Sequence, residues 1–135
     1  MKSAVIALLI AGLGFGAFTW WVLESSGVAI LQTRGPDGSL RRTHVWYAER
    51  SSEVWLEAAT PERAWLRDIQ RSPLVVLSIE GQPAHYRAAP VAAPTGHAEI
   101  RSLLRQKYGL RDWWVALLQD TSRSVAVQLV PKPEQ

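Results

Sequence analysis

From residue 4 to residue 23 the chain carries no charged side chain, and its only polar groups there are the Thr19 hydroxyl and the indole N–H groups of Trp20 and Trp21. Few features restrict a fold so tightly. Twenty such residues in an α-helix rise about 30 Å, which matches the hydrocarbon core of a bilayer. Lys2 precedes the run, Glu24 closes it, and the two Trp stand at its far end, where amphipathic rings favour the headgroup layer. We read residues 1–23 as a single-pass N-terminal anchor in a lipid membrane, and residues 24–135 as the domain it carries. A cleaved signal peptide is the alternative; against it, the run exceeds the roughly 7–15 residues of a signal core and no Ala-x-Ala site follows. The side of the membrane stays open. Lys2 argues for an inside N-terminus and an outside domain, while Arg34, Arg41 and Arg42 pull the other way.

Two glycine patterns lie inside this run. Gly12, Gly14 and Ala17 match a dinucleotide-binding fingerprint, but that pattern acquires meaning only in a strand–helix–strand unit with an acid about 20 residues on. A hairpin follows instead, so the match is discarded. Gly12 and Gly16 also fit Gly-x-x-x-Gly, which lets membrane helices approach closely and would allow a homodimer through the anchor.

Beyond the Ser25-Ser26-Gly27 connector, residues 30–47 read as a β-hairpin around Gly35-Pro36-Asp37-Gly38. Pro presets φ, Gly permits positive φ, and Asp can bond its own backbone. On the return strand Arg42, His44 and Trp46 share one face, while Arg41, Thr43, Val45 and Tyr47 share the other. One face can pack a core while the other offers cations and hydroxyls to an anion, so this strand is expected to form half of a cofactor phosphate site.

Residues 53–59 alternate as a third strand, after a turn at Ser51 and Ser52. Thr60-Pro61-Glu62 predicts a helix start, with Thr as N-cap and Pro first, running to about Arg71 and stopped by Pro73. Residues 74–79 form the strongest strand, turned by Glu80-Gly81-Gln82 into a return strand over 84–91. Ile100, Leu103, Leu104 and Tyr108 mark a helix over 98–108 with Gly109 as its stop, residues 112–118 a short helix, and residues 124–130 a last strand. Six strands with short, antiparallel connections and two or three flanking helices predict an α+β fold built on a small barrel.

At 135 residues the chain supports one modest core. Twelve of its fifteen basic residues are Arg, the side chain better suited to bidentate phosphate and carboxylate recognition. No basic run with interleaved aromatics is present, so nucleic acid is not an expected partner. The absence of cysteine excludes disulfides, thiol catalysis and Cys-based metal sites. His44, His85 and His97 lack metal-ligand spacing, so no metal site is expected, and there is no Gly-x-Ser-x-Gly elbow.

The order Arg42-Thr43-His44-Val45-Trp46-Tyr47, Ala58-Ala59-Thr60, Trp65-Leu66-Arg67-Asp68-Ile69, Ser72-Pro73 and Lys107-Tyr108-Gly109 resembles the split β-barrel of flavin-binding oxidoreductases. The resemblance covers residues 30–130 and is nearest to the deazaflavin-dependent nitroreductase and quinone-reductase branch, within the FMN-binding, pyridoxamine-phosphate-oxidase-like superfamily. It implies a six-stranded antiparallel split barrel and a deazaflavin or FMN cofactor. The phosphate would meet Arg41, Arg42 and Thr43 with the backbone at His44 and Val45, and Thr60 and Arg63 would close the site. Asp68 and Ser72 stand where such proteins usually carry Asn, Val45 where Pro is common, and the loop before Trp65 is shortened. On this reading the cofactor passes a hydride to a small-molecule acceptor, a quinone, nitro compound or enone. Tyr47 and Tyr108 are the candidate proton donors, and Trp113 and Trp114 the candidate lining of a substrate pocket. As helix neighbours the two Trp cannot face the same way, so one belongs to the core or the membrane. The rival readings are a tethered split barrel that binds flavin, haem or a protein without turnover, and a structural module of a membrane complex with no small ligand.

Overall fold

The computed structural model describes residues 1–24, 27–92, 94–118 and 120–133; Ser25 and Ser26 of the expected connector lie outside them. The elements are α1 (Lys2–Glu24), β1 (Val28–Arg34), β2 (Leu40–Arg50), β3 (Glu53–Ala58), α2 (Ala64–Arg71), β4 (Leu74–Ile79), β5 (Gln82–Val91), α3 (Thr95–Tyr108), α4 (Leu110–Leu118) and β6 (Val125–Pro131). The six strands close into an antiparallel barrel in the order β1-β2-β3-β6-β5-β4. The expected architecture is present.

The turns follow from local chemistry. Gly38 takes φ +83, and Asp37 Oδ1 accepts hydrogen bonds from the Ser39 N–H (3.1 Å) and hydroxyl (2.6 Å), which fixes the hairpin register at Arg34 opposite Leu40. Strand alternation then sorts the side chains. Val45 and Tyr47 of β2, Val54, Leu56 and Ala58 of β3, and Val127 and Leu129 of β6 turn inward. Trp65, Leu66 and Ile69 of α2 pack onto the same interior. Ala48, Trp55 and Ala126, one step out of phase, turn outward and are covered by Ile100, Leu103, Leu104 and Tyr108 of α3. Fully burying one such aliphatic side chain contributes about 1.5–3 kcal/mol. Two cores therefore sit on the two faces of one sheet.

The expected helix start at Thr60 is corrected. The Arg63 N–H donates to the Thr60 carbonyl (3.3 Å), so residues 60–63 form a turn, and α2 begins at Ala64 with Arg63 as its N-cap and no side-chain cap. Pro at the second position suits a β-turn as well as a helix, and the local pattern does not separate the two. Helix α3 begins three residues before Ala98, with the Ala98 N–H bonded to the Pro94 carbonyl (3.0 Å).

Candidate functional site

β2 and β3 pair only where residues 47–50 face residues 53–56. Past Tyr47 and Leu56 they part: β3 stays on β6, through Glu57 with Ala126 and Ala58 with Val125, while residues 40–46 of β2 stay on β1. The Tyr47 N–H and C=O point to the β1 side, both meeting the Tyr108 hydroxyl at the position opposite Gly27. Peptide groups of a strand turn to alternate sides, so those of His44 and Trp46 face the parting.

A cleft of about 220 Å³ occupies this parting, lined by Thr43, His44, Val45, Trp46, Glu57, Ala59, Arg63, Trp65 and Val115. It thus joins the open edge of β2, the end of β3, the turn before α2 and one residue of α4. Thr43, His44, Val45 and Arg63 of the sequence-derived site residues meet there. Arg41, Arg42, Thr60, Tyr47, Tyr108, Trp113 and Trp114 are not on its lining.

Arg41 is engaged elsewhere. Its Nε donates to Asp68 Oδ2 (2.8 Å), which also accepts from the Thr33 hydroxyl (2.8 Å), while Arg71 Nη2 donates to Asp68 Oδ1 (2.8 Å). Burial pushes the Asp68 carboxyl up, but the hydrogen bonds from Arg41 and Thr33 and the charges of Arg41 and Arg71 outweigh it and hold it below its ordinary value. The acid at this position therefore ties α2 to β1 and β2. It presents no charge to the cleft. Arg42 stays exposed on the outer face of β2.

Tyr108 stacks on Trp46 with ring centroids 4.5 Å apart, and its hydroxyl is within hydrogen-bond reach of the carbonyls of Gly27 and Tyr47. Its hydroxyl also accepts from the Tyr47 N–H (3.3 Å), so it extends the β1–β2 ladder by one rung. Burial pushes this phenol up to about 12. Gly27, at φ +89, is required here, since a Cβ would lie 2.8 Å from the Tyr108 ring. Tyr47 is buried in the barrel, its pKa raised by burial, with Lys107 Nζ 3.0 Å from its ring centroid.

Glu57 and Val115 belong to the cleft without having been legible as site residues. Glu57 Oε2 accepts from the buried Arg101 Nη1 (2.9 Å), whose Nη2 donates to Asp112 Oδ1 (2.5 Å). Glu57 Oε1 is itself buried and has no hydrogen-bond partner among the described residues, so Glu57 shapes the cleft wall without offering it a free acceptor. The cleft thus combines a guanidinium, outward backbone groups at His44 and Trp46, and apolar walls from Trp65 and Val115. An outward acid on β3 was the one available signal. Its partner lies 44 residues away, and no local pattern links them.

No protein-family profile matches the chain, and no curated protein is significantly similar to it. Solved structures do resemble it. A conserved hypothetical protein of Mycobacterium tuberculosis superposes with a TM-score of 0.65 at 22% identity, over 87% of this chain and 80% of that one. A candidate pyridoxamine 5'-phosphate oxidase of Listeria innocua gives 0.60 at 14% identity, over 83% and 89%. An F420 reductase gives 0.54 at 19% identity, over 84% and 93%. The fold is the split barrel that these structures share. A FAD-binding protein of Mesorhizobium loti and the haem storage protein HutZ of Vibrio cholerae share this split barrel, at 16% and 11% identity.

Proposed function

We propose that the chain is a membrane-anchored, flavin- or deazaflavin-dependent reductase that passes a hydride from its reduced cofactor to a quinone, nitro or enone acceptor. The observation that carries this reading is the parting of β2 from β3, with Arg63 and Glu57 on its walls. A flavin or deazaflavin ring carries N–H donors and carbonyl acceptors at its edge and an anionic tail. The backbone groups of His44 and Trp46 suit the former, and Arg63, with Arg42 at the outer face, suits the latter. About 220 Å³ is below the roughly 300–1,000 Å³ of sites that enclose a whole small molecule, so part of the cofactor would lie along the surface. When bound, the cofactor supplies the hydride. The protein orients it, and Trp65 and Val115 keep water from one side. The resemblance to split barrels that include an F420 reductase and a FAD-binding protein supports this class of cofactor.

The anchor is part of the same proposal. α1 contains one window, Lys2–Trp21, long and apolar enough to cross a bilayer. A membrane-tethered reductase has ready access to lipid-soluble quinones. The test is a fluorescence titration of the full chain, in detergent or nanodiscs, with FMN and with a deazaflavin, followed by turnover with menadione. Saturable binding with turnover is the expected result; no binding of either cofactor overturns the proposal.

A second reading, a tethered binding module without turnover, is favoured by the tyrosines. Tyr108 serves the ladder and Tyr47 the barrel core, and neither lies on the cleft. Saturable binding of flavin or haem with no turnover would select it.

A further inference from the structure

α4 is short, and its apolar face is left open. Leu110, Trp113, Leu117 and Leu118 are 66%, 57%, 63% and 46% exposed. At about 100° per residue these four and Trp114 share roughly 140° of the helix, so they form one face. Exposure of so much contiguous apolar surface calls for a partner.

The neighbouring residue identifies that partner. Trp114, in the middle of this face, packs on α1: its ring lies 5.3 Å from Phe15 and 4.9 Å from Phe18 by centroids, and its indole N–H donates to Thr19 Oγ1 (3.2 Å). Phe15 lies about 12 Å along the helix from Leu23, where the uncharged run ends. If α1 spans a bilayer, the α4 face that meets it at Phe15 cannot be in bulk water. The charges are arranged accordingly. The Arg111 guanidinium sits over the Trp21 ring, 4.4 Å from its centroid, at the end of α1 where headgroups belong. Asp112 lies on the opposite side of α4, buried against Arg101.

We propose that the outer face of α4, formed by Leu110, Trp113, Leu117 and Leu118, is a second membrane-contact surface that lies against lipid beside α1. The inference rests on the reading of α1 as an anchor. It fixes the orientation of the domain, because a single spanning helix alone leaves the barrel free to swing. Val115, the next residue after Trp114, lines the cleft, so the cleft lies within one helix diameter of the lipid, where an apolar acceptor dissolves.

The chain has no cysteine, so Leu117→Cys and Leu110→Cys each carry one thiol for an environment-sensitive fluorophore. The full chain is reconstituted in phosphatidylcholine–phosphatidylglycerol vesicles, with Leu9→Cys reporting on α1 and Arg71→Cys on solvent. Doxyl-lipid quenching at 117 and 110 at least about twofold above that at 71, with weak quenching by iodide, is the expected result for a lipid-facing helix face. Strong iodide quenching at 117 and 110 overturns the proposal. Protection from both quenchers also overturns it, since a protein surface such as a second copy then covers the face. Position 9 is scored separately: absence of lipid quenching there refutes the anchor, whatever α4 shows.

Discussion

A tyrosine beside a redox cofactor invites assignment as a proton donor, but the bonds of Tyr108 give it another task. Its hydroxyl stands between Gly27 and Tyr47 as a rung of the β1–β2 ladder. Tyr108→Phe leaves the Tyr47 N–H without this acceptor, and we expect a loss of about 1–3 kcal/mol in denaturant unfolding, with cofactor affinity unchanged. An unaltered stability would remove the rung from the account. Asp68 yields a pH dependence. Its folded pKa lies below the ordinary 3.8, so its contribution is present above that value and is lost as pH falls through the lower, folded one. Asp68→Asn should therefore flatten the acid limb of the stability profile below about pH 4. An identical limb in both proteins would show that the Arg41–Asp68–Arg71 cluster contributes no linkage. The face assignments of β2 could be anticipated, because alternation decides them. That Arg41 would spend its charge on Asp68 could not, because the two lie 27 residues apart.

Among the elements, α2 and α4 hold the cleft together, and a buried triad joins α4 to the sheet. Arg101 is paired with both Glu57 and Asp112, at side-chain exposures of 7%, 12% and 1%. Removing the shared cation leaves two carboxylates buried without their counter-charge. Arg101→Met should cost about 3–5 kcal/mol by thermal or denaturant unfolding, whereas breaking the exposed Arg50–Glu99 pair by Arg50→Ala should cost under about 1 kcal/mol. Comparable losses would mean that the triad is no more than surface pairing. Element types were legible wherever periodicity was strong, as in the β4 run Leu-Val-Val-Leu and the Ile100–Leu104 stripe of α3. The start of α2 was not, since Thr-Pro-Glu satisfies a turn and a helix alike. Its true start matters: it puts Arg63 at the N-cap, on the cleft, and leaves Thr60 off the lining.

For the whole molecule, the antiparallel split barrel followed from the count and spacing of strands together with the resemblance in motif order. The parting of β2 from β3 did not, because a strand's sequence does not say where its partner leaves it. On the proposed function, that parting is where a flavin or deazaflavin would be held, through Arg63. The most direct test compares two substitutions that remove the same charge from neighbouring positions, Arg63→Ala on the cleft and Arg67→Ala on the exposed side of α2. We expect the dissociation constant of the bound cofactor, measured by fluorescence titration, to rise roughly ten- to a hundredfold for Arg63→Ala, as loss of a charged hydrogen bond of about 1.5–3 kcal/mol requires. Arg67→Ala should bind as the parent does. Equal affinities for both variants, or equal losses, would contradict the site.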